Sequence, residues 1–316
     1  MNLLGTTGEP FLFIIDFEGI APIICPLSGI PPEIRYTLPG YVQKDKRTSK
    51  IGNLILQKRP MPYEDYLEAF EKVLKHLRQG NSYLVNLTFP TPLDTGLSIE
   101  EIYEWSEAPY KLLVKNRFVV FSPESFIQIK NGIISSFPMK GTIDASLPNA
   151  GELLLEDPKE SAEHTTIVDL IRNDLSQVAS KVEVARYRYM DRLRTHDKEI
   201  LQVSSEITGR LPENFHHHIG TILDVLLPAG SISGAPKKRT LEIIREAETG
   251  PRGYYTGVFG IFDGKNLDSA VMIRYIEQTD QGLQYRSGGG ITHLSNPRAE
   301  YQEMLDKVYL HVTRDT

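Results

Sequence analysis

Two stretches of the chain carry carboxylates at helical intervals. Glu160, Glu163 and His164 stand in the run 159–176, and Glu300, Glu303 and Lys307 repeat the device further on. Spacings of three and four place side chains on one helical face. Two Glu-x-x-Glu faces supply hard oxygen donors of the kind Mg2+ takes, with positions left for water and an anionic ligand; two solvated helix faces give the same spacing. Gly288, Gly289 and Gly290 follow a strand-like run. Three residues without a Cβ let backbone amides come close to an anion, a β-bulge or turn being the alternative. The segment GSISGAPK (230–237) is not a P-loop, because Lys237 does not directly follow Gly234 and no Ser or Thr follows it. It offers amides and the Ser231 hydroxyl at a helix start, or a plain capped beginning. In FPMKGT (137–142), Lys140 sits between a strand and a turn. A lysine in a partly desolvated pocket loses its proton and becomes a nucleophile, whereas a surface lysine does not. His216, His217 and His218 occupy consecutive helical positions, point in three directions and cannot converge on one ion.

The elements that must position these groups follow from periodicity. Short strands and turns occupy 11–56, with FLFIID and APIICPL as a hairpin. Tyr66, Phe70, Val73, Leu74 and Leu77 keep helical spacing from Pro62 to Arg78, and Gly80 ends that helix. SYLVNLTF (82–89) alternates as a strand, Ile99 to Trp105 is a short helix, and 111–138 holds successive strands with Asn131-Gly132 as a type I′ turn. A long helix over 159–176 turns Ile167, Val168 and Ile171 away from its acidic face. Two strands (VEVARYRYM, EILQVSSEITGRL), helices at about 215–226 and 236–247, and three further strands follow. A last helix is predicted from Pro297 to Thr313, with Asn296 as N-cap and Pro297 at its first position. Strand runs mixed with separate helices, without β-α-β-α alternation, predict an α+β fold with largely antiparallel sheet rather than a Rossmann fold or a TIM barrel.

The 316 residues carry 35 Lys plus Arg against 41 Asp plus Glu, a formal charge of -6. That balance gives no general pull toward nucleic acid or anionic membrane, and neither is expected as a partner. The one cysteine, Cys25, can form neither an internal disulfide nor a Cys-based zinc site. The first residues lack the basic region of a signal peptide, and Phe11 to Ile15 is far too short to span a membrane. The expected compartment is the cytoplasm.

Taken in order, the segments GNSYLVNLT, SPESF, FPMKGT, KESAEHTTIVDLIRNDL, LPAGSISGAPK, RGYYTG, MIRY, SGGGI and AEYQEMLDK resemble the chorismate-utilising enzymes, from about Gln79 to His311. The resemblance implies an α+β fold of two large, mainly antiparallel sheets with outer helices. It also implies a chorismate-binding catalytic domain over 61–316, with 1–60 a short strand-rich segment packed on it. Residue by residue, it implies that Glu163 and Glu303 are direct Mg2+ ligands and that Glu160 and Glu300 hold the metal's waters. Arg274, Tyr255 and the Gly288, Gly289 and Gly290 amides match groups that bind the enolpyruvyl carboxylate. Lys307, Ser231 and Thr142 lie with the substrate-binding groups, and Glu124 in SPESF matches the acid that protonates the departing 4-hydroxyl. A dianionic substrate calls for a cation, a guanidinium and aimed amides, and hydroxide needs an acid to leave.

Two positions discriminate among the family's reactions. Members that add water at C2 use a lysine as base where this chain has Leu84, which takes no proton. Members that aminate C4 carry a lysine in the P-x-K-G-T motif, here Lys140. The resemblance therefore implies conversion of chorismate and ammonia to 4-amino-4-deoxychorismate, toward 4-aminobenzoate and folate. Anthranilate synthesis and a non-catalytic chorismate-binding subunit are the alternatives. Gln202 stands where relatives carry a histidine beside the reacting ring. No glutaminase motif is found, so the resemblance implies a glutamine amidotransferase partner that supplies ammonia.

Overall fold

Runs such as Phe118–Ser122, apolar at nearly every position, are strands buried on both faces, and they set the architecture. A computed structural model describes residues 1–42, 56–194 and 199–310. Its strands form two nine-stranded sheets, and the described chain divides into two compact units.

One unit comprises 12–124, 232–260 and 270–316. Its central sheet runs in the order Gly234–Ala235, Leu84–Asp94, Gly282–Ile291, Tyr275–Thr279, Phe118–Ser122, Tyr110–Val114, Ile34–Leu38, Tyr41–Val42, with Gln57–Lys58 also on Leu84–Asp94. The pairs are antiparallel. Three helices cover one end of it: Tyr63–Arg78, Lys237–Ala247 and Pro297–Asp306. Tyr66, Phe70 and Val73 pack with Ile243, Ile244 and Met304 onto Val85, Leu87, Phe89 and Ile291. Each large apolar side chain so buried contributes roughly 1.5–3 kcal/mol. This core seats the last helix over the glycine-bearing strand.

The other unit comprises 1–11, 125–231 and 261–269. In it Met139–Asp144 and Ser180–Arg194 both pair antiparallel with Glu199–Arg210, as does Ile133–Ser136. The helix Pro158–Ser176 buries Ile167, Val168 and Ile171, but Glu163 and His164 are buried with them one turn earlier; residues four apart share a face, so the apolar residues do not point away from the acidic ones as the sequence reading expects. The Asn131-Gly132 turn has both residues at positive φ, 53° and 76°, as a type I′ hairpin requires.

Three further features differ from the sequence expectation. The final helix ends at Asp306 with Lys307 as its cap rather than running on to Thr313, and residues beyond 310 lie outside the described chain. Helices at Asn2–Thr7 and Ala150–Glu156 were not anticipated. The stretch at 215–226 begins as a 3-10 turn, Phe215–His218, before Ile219–Leu226 becomes α-helical.

Candidate active site

Asn296 accepts hydrogen bonds from the Arg298 and Ala299 amides (3.0 and 3.1 Å) and so fixes the start of the Pro297–Asp306 helix. Four residues on, Glu300 is buried and Glu303 half-exposed, one turn apart. Between them lies Gly289: a Cβ there would stand 3.5 Å from Glu300 Oε2 and 3.5 Å from Glu303 Oε1. Glu303 pairs with Lys307 Nζ at 2.7 Å, and the same ammonium donates to the Gly288 carbonyl at 2.9 Å. The two carboxylates make the neighbourhood negative. The Tyr66 hydroxyl is held well above its usual range, first by burial and then by Glu300 and Glu303.

The glycine strand owes its accessible backbone to its register. Tyr275–Thr279 pairs with Gly282–Ile291 only as far as Arg286, whereas Leu84–Asp94 pairs along the whole run, with Gly288 opposite Thr88 and Gly290 opposite Asn86. The Gly288 carbonyl turns away from Leu84–Asp94, toward Lys307. The N–H of a strand residue points the same way as its C=O, and the pattern repeats every second residue. Gly288 and Gly290 therefore both aim their amides off that edge. A side chain at Gly288 is impossible without displacement, since a Cβ would lie 2.1 Å from the Leu87 carbonyl oxygen.

Arg274 joins this group through the end of the helix. It sits at φ 52°, donates to the Lys307 carbonyl at 2.8 Å and lies 4.6 Å over the Tyr309 ring. Its Nε is buried and makes no hydrogen bond of good geometry among the described residues, and its charge acts on the buried Tyr285 hydroxyl. Tyr255 is buried against Tyr275, and burial pushes its hydroxyl up to about 12, so it stays a neutral donor. Glu124 follows the Phe118–Ser122 strand; its amide donates to Ser122 Oγ and its carbonyl accepts from Val271 N. Leu84 is buried and pairs with Ala235, an aliphatic position with no proton acceptor of its own.

In the other unit, Asp157 caps the Pro158–Ser176 helix by accepting from Glu160 N at 2.9 Å. Glu163 is buried and Glu160 partly so. The strand Met139–Asp144 slips register between Lys140 and Thr142, and Gly141 at φ 75° comes up to Glu160: a Cβ there would be 3.2 Å from Glu160 Oε2. The Lys140 backbone pairs with Val203; its side chain lies outside the described residues. Thr142 is exposed opposite Gln202, and Ser231 is partly buried in the short helical turn Gly230–Ser233. The structure thus gathers Gly288, Gly289, Glu300, Glu303, Lys307 and Arg274 in one unit, and Glu160 with Gly141 in the other. Among the described residues, no three His, Cys, Asp or Glu side chains form a metal-binding group.

A family model for chorismate binding enzymes matches residues 41–312. The chain belongs to the chorismate binding enzyme family. An uncharacterized PabA-like protein of Pasteurella multocida is 51% identical over 98% of this chain and 97% of its own length. Aminodeoxychorismate synthase component 1 of Salmonella typhimurium is 35% identical over 77% of this chain, and an anthranilate synthase component 1 of Haloarcula marismortui is 34% identical over the same share. The chain spans about half the length of those two synthases, 56% and 52%. The crystal structure of anthranilate synthase component I from Streptococcus pneumoniae superposes with a TM-score of 0.66 at 26% identity, over 82% of this chain and 59% of that one. The expected family fold, two large sheets with outer helices, is the one observed. Within the described residues no helix is long and apolar enough to cross a membrane.

Sequence reasoning passed over one buried ion pair, Glu248 with Arg252. Arg252 was visible only as the first letter of RGYYTG; the signal available was a Glu and an Arg four residues apart at the end of an amphipathic helix.

Proposed function

We propose that the chain converts chorismate and ammonia to 4-amino-4-deoxychorismate, the step toward 4-aminobenzoate and folate, with ammonia delivered by a glutamine amidotransferase subunit. Likeness to relatives does not choose between amination at C2 and at C4, because synthases of both names stand at about 34% identity. The observation that carries the reading is Lys140, set immediately before the bulged Gly141 that abuts Glu160. Leu84 argues against water addition at C2, having no group to take a proton.

In this reading the outward amides of Gly288 and Gly290, the Arg274 guanidinium and the neutral Tyr255 hydroxyl receive the enolpyruvyl carboxylate. Glu124 protonates the 4-hydroxyl, which leaves as water while Lys140 Nζ bonds to C2. Ammonia then bonds to C4 as the C2–N bond breaks, and the lysine is returned. The donor chemistry fits Mg2+: the carboxylates are hard oxygen ligands, and Gly289 leaves a side-chain-free cradle between Glu300 and Glu303. Glu163 and Glu303 would bind the ion directly, with Glu160 and Glu300 holding its waters. When bound, it supplies the counter-charge for the ring carboxylate.

The test is turnover of chorismate with ammonium at high pH and Mg2+, the ring isomer being read by mass and fluorescence. A 4-amino product supports the assignment. A 2-amino product would reassign the chain to anthranilate synthesis, the reading favoured by the Haloarcula relative. Absence of turnover would indicate a non-catalytic subunit, and glutamine-driven turnover by the single chain would remove the partner. Lys140→Ala should move the product toward 2-substituted rings.

A further inference from the structure

Leu84–Asp94 backs the glycine strand, and among the described residues its far edge is only partly paired by other strands. Gly234–Ala235 covers Val85 and Leu84, and Gln57–Lys58 covers Asp94 and Leu93. Arg59 N donates to the Pro92 carbonyl, and at Asn86 and Thr88 the edge is bonded by side chains. Arg252 Nη2 donates to the Asn86 carbonyl at 2.7 Å, and Glu248 Oε1 accepts from Thr88 N at 2.9 Å and Thr88 Oγ1 at 3.0 Å. The two side chains are 1% and 4% exposed and bind each other through both carboxylate oxygens, at 2.6 and 3.0 Å. A guanidinium giving to one carbonyl and a carboxylate taking one amide supply, at Asn86 and Thr88, the kind of bonds a neighbouring strand makes.

The residues so held are the cross-strand partners of Gly290 and Gly288. A glycine has no side chain to lock it, so the direction of those two amides depends on the strand behind them. The same guanidinium also contacts the residue that follows Tyr255. Arg252 Nη1 donates to the Ile232 carbonyl at 3.0 Å and lies 3.4 Å from Thr256 Oγ1. Thr256 is at φ 61°, a left-handed conformation that a β-branched residue adopts only when its surroundings impose it. Its hydroxyl donates to the carbonyl of Tyr255 at 2.6 Å. Glu18 clamps the turn from beneath, accepting from Arg252 N and Gly253 N.

We propose that Glu248 and Arg252 are positioning residues that jointly aim the Gly288 and Gly290 amides and the Tyr255 hydroxyl, and so set substrate affinity rather than turnover. This rests on the reading of those groups as the carboxylate site. Arg252→Lys keeps the charge and loses the fork. It should raise KM for chorismate about tenfold, the scale of one charge-assisted hydrogen bond, with kcat changed less than about threefold. Amide hydrogen exchange should accelerate in peptides covering 84–90, 254–258 and 284–291 and stay unchanged in 63–78. Glu248→Gln, which keeps the size and an acceptor for Thr88, should show the same pattern more weakly and serves if the arginine variant does not fold. Unchanged exchange at those peptides, acceleration spread through the whole unit, or a fall in kcat at constant KM would each overturn the proposal. If the parent protein does not turn over chorismate, the functional reading fails by itself, and the exchange pattern still decides the positioning role.

Discussion

The helices Pro158–Ser176 and Pro297–Asp306 begin alike and end up in different electrostatic circumstances. Each has an Asx cap, a proline at its first position and two glutamates one turn apart in its early turns, where the helix dipole favours negative charge. On the first helix it is the second glutamate, Glu163, that is buried; on the other it is the first, Glu300, while Glu303 stays half-exposed beside Lys307. Four residues after Glu163 the first helix has the core residue Ile167 instead of a lysine. One sequence device has thus produced one carboxylate set into the core side of its helix and one already matched by an ammonium. The fate of a Glu-x-x-Glu face is decided by which turn meets the core and by the residue type one turn later.

Removing the charges is the strongest way to probe that contrast. Glu163→Gln and Glu303→Gln should each lower Mg2+-supported turnover about 100-fold, roughly 2.7 kcal/mol of barrier. Full activity of either variant at low Mg2+ would end the metal assignment. The two should part company in stability. The half-exposed Glu303–Lys307 pair contributes at most about 0.5 kcal/mol, so urea melts of Glu303→Gln should nearly overlay those of the parent.

A smaller effect is expected in the strand against the second helix. Gly288→Ala forces a methyl into the Leu87 carbonyl and should cost about 1–3 kcal/mol. Gly289→Ala meets only ordinary contacts and should fold like the parent, yet its methyl lies between Glu300 and Glu303, so activation should need more Mg2+. Equal stability of the two alanine variants in chemical denaturation would contradict this geometry.

Least should come from the caps. Asp157→Ala and Asn296→Ala should each lose about 1 kcal/mol, measured as a shift in denaturation midpoint. Asn296, which serves two amides where Asp157 serves one, should lose more. The reverse order would mean that tertiary packing, not capping, sets these helix starts.

The start of the last helix was legible in the sequence because Asn296, Pro297 and the apolar period are local and agree with one another, whereas the first helix reads from 159 and its cap Asp157 and Pro158 go unread. The Asn131-Gly132 hairpin was legible for the same reason. The helix at Asn2–Thr7 was not, since it contains Gly5 and two threonines and has poor intrinsic propensity. It is held instead by Asn2, whose side chain bonds Gly220 N, Thr221 N and Thr221 Oγ1 far along the chain. The final helix was overextended because its apolar spacing continues past Asp306, where Lys307 turns back to the Gly288 carbonyl. The Glu-x-x-Glu faces could be read from spacing. Glu248 and Arg252 could not, because they bind backbone groups of Asn86 and Thr88, which any residue types would present.

The pairing of Gly289 with Leu87 joins positions about 200 residues apart, and this has a bearing on how the protein is made. During synthesis Leu84–Asp94 emerges long before its glycine-bearing neighbour exists, and such non-local closure is slow. Until then a largely apolar strand offers an unpaired edge, the kind of surface on which chains associate wrongly. The order of translation therefore makes the glycine-bearing strand among the last parts of its unit to assemble, and leaves the nascent chain most in need of protection over that interval.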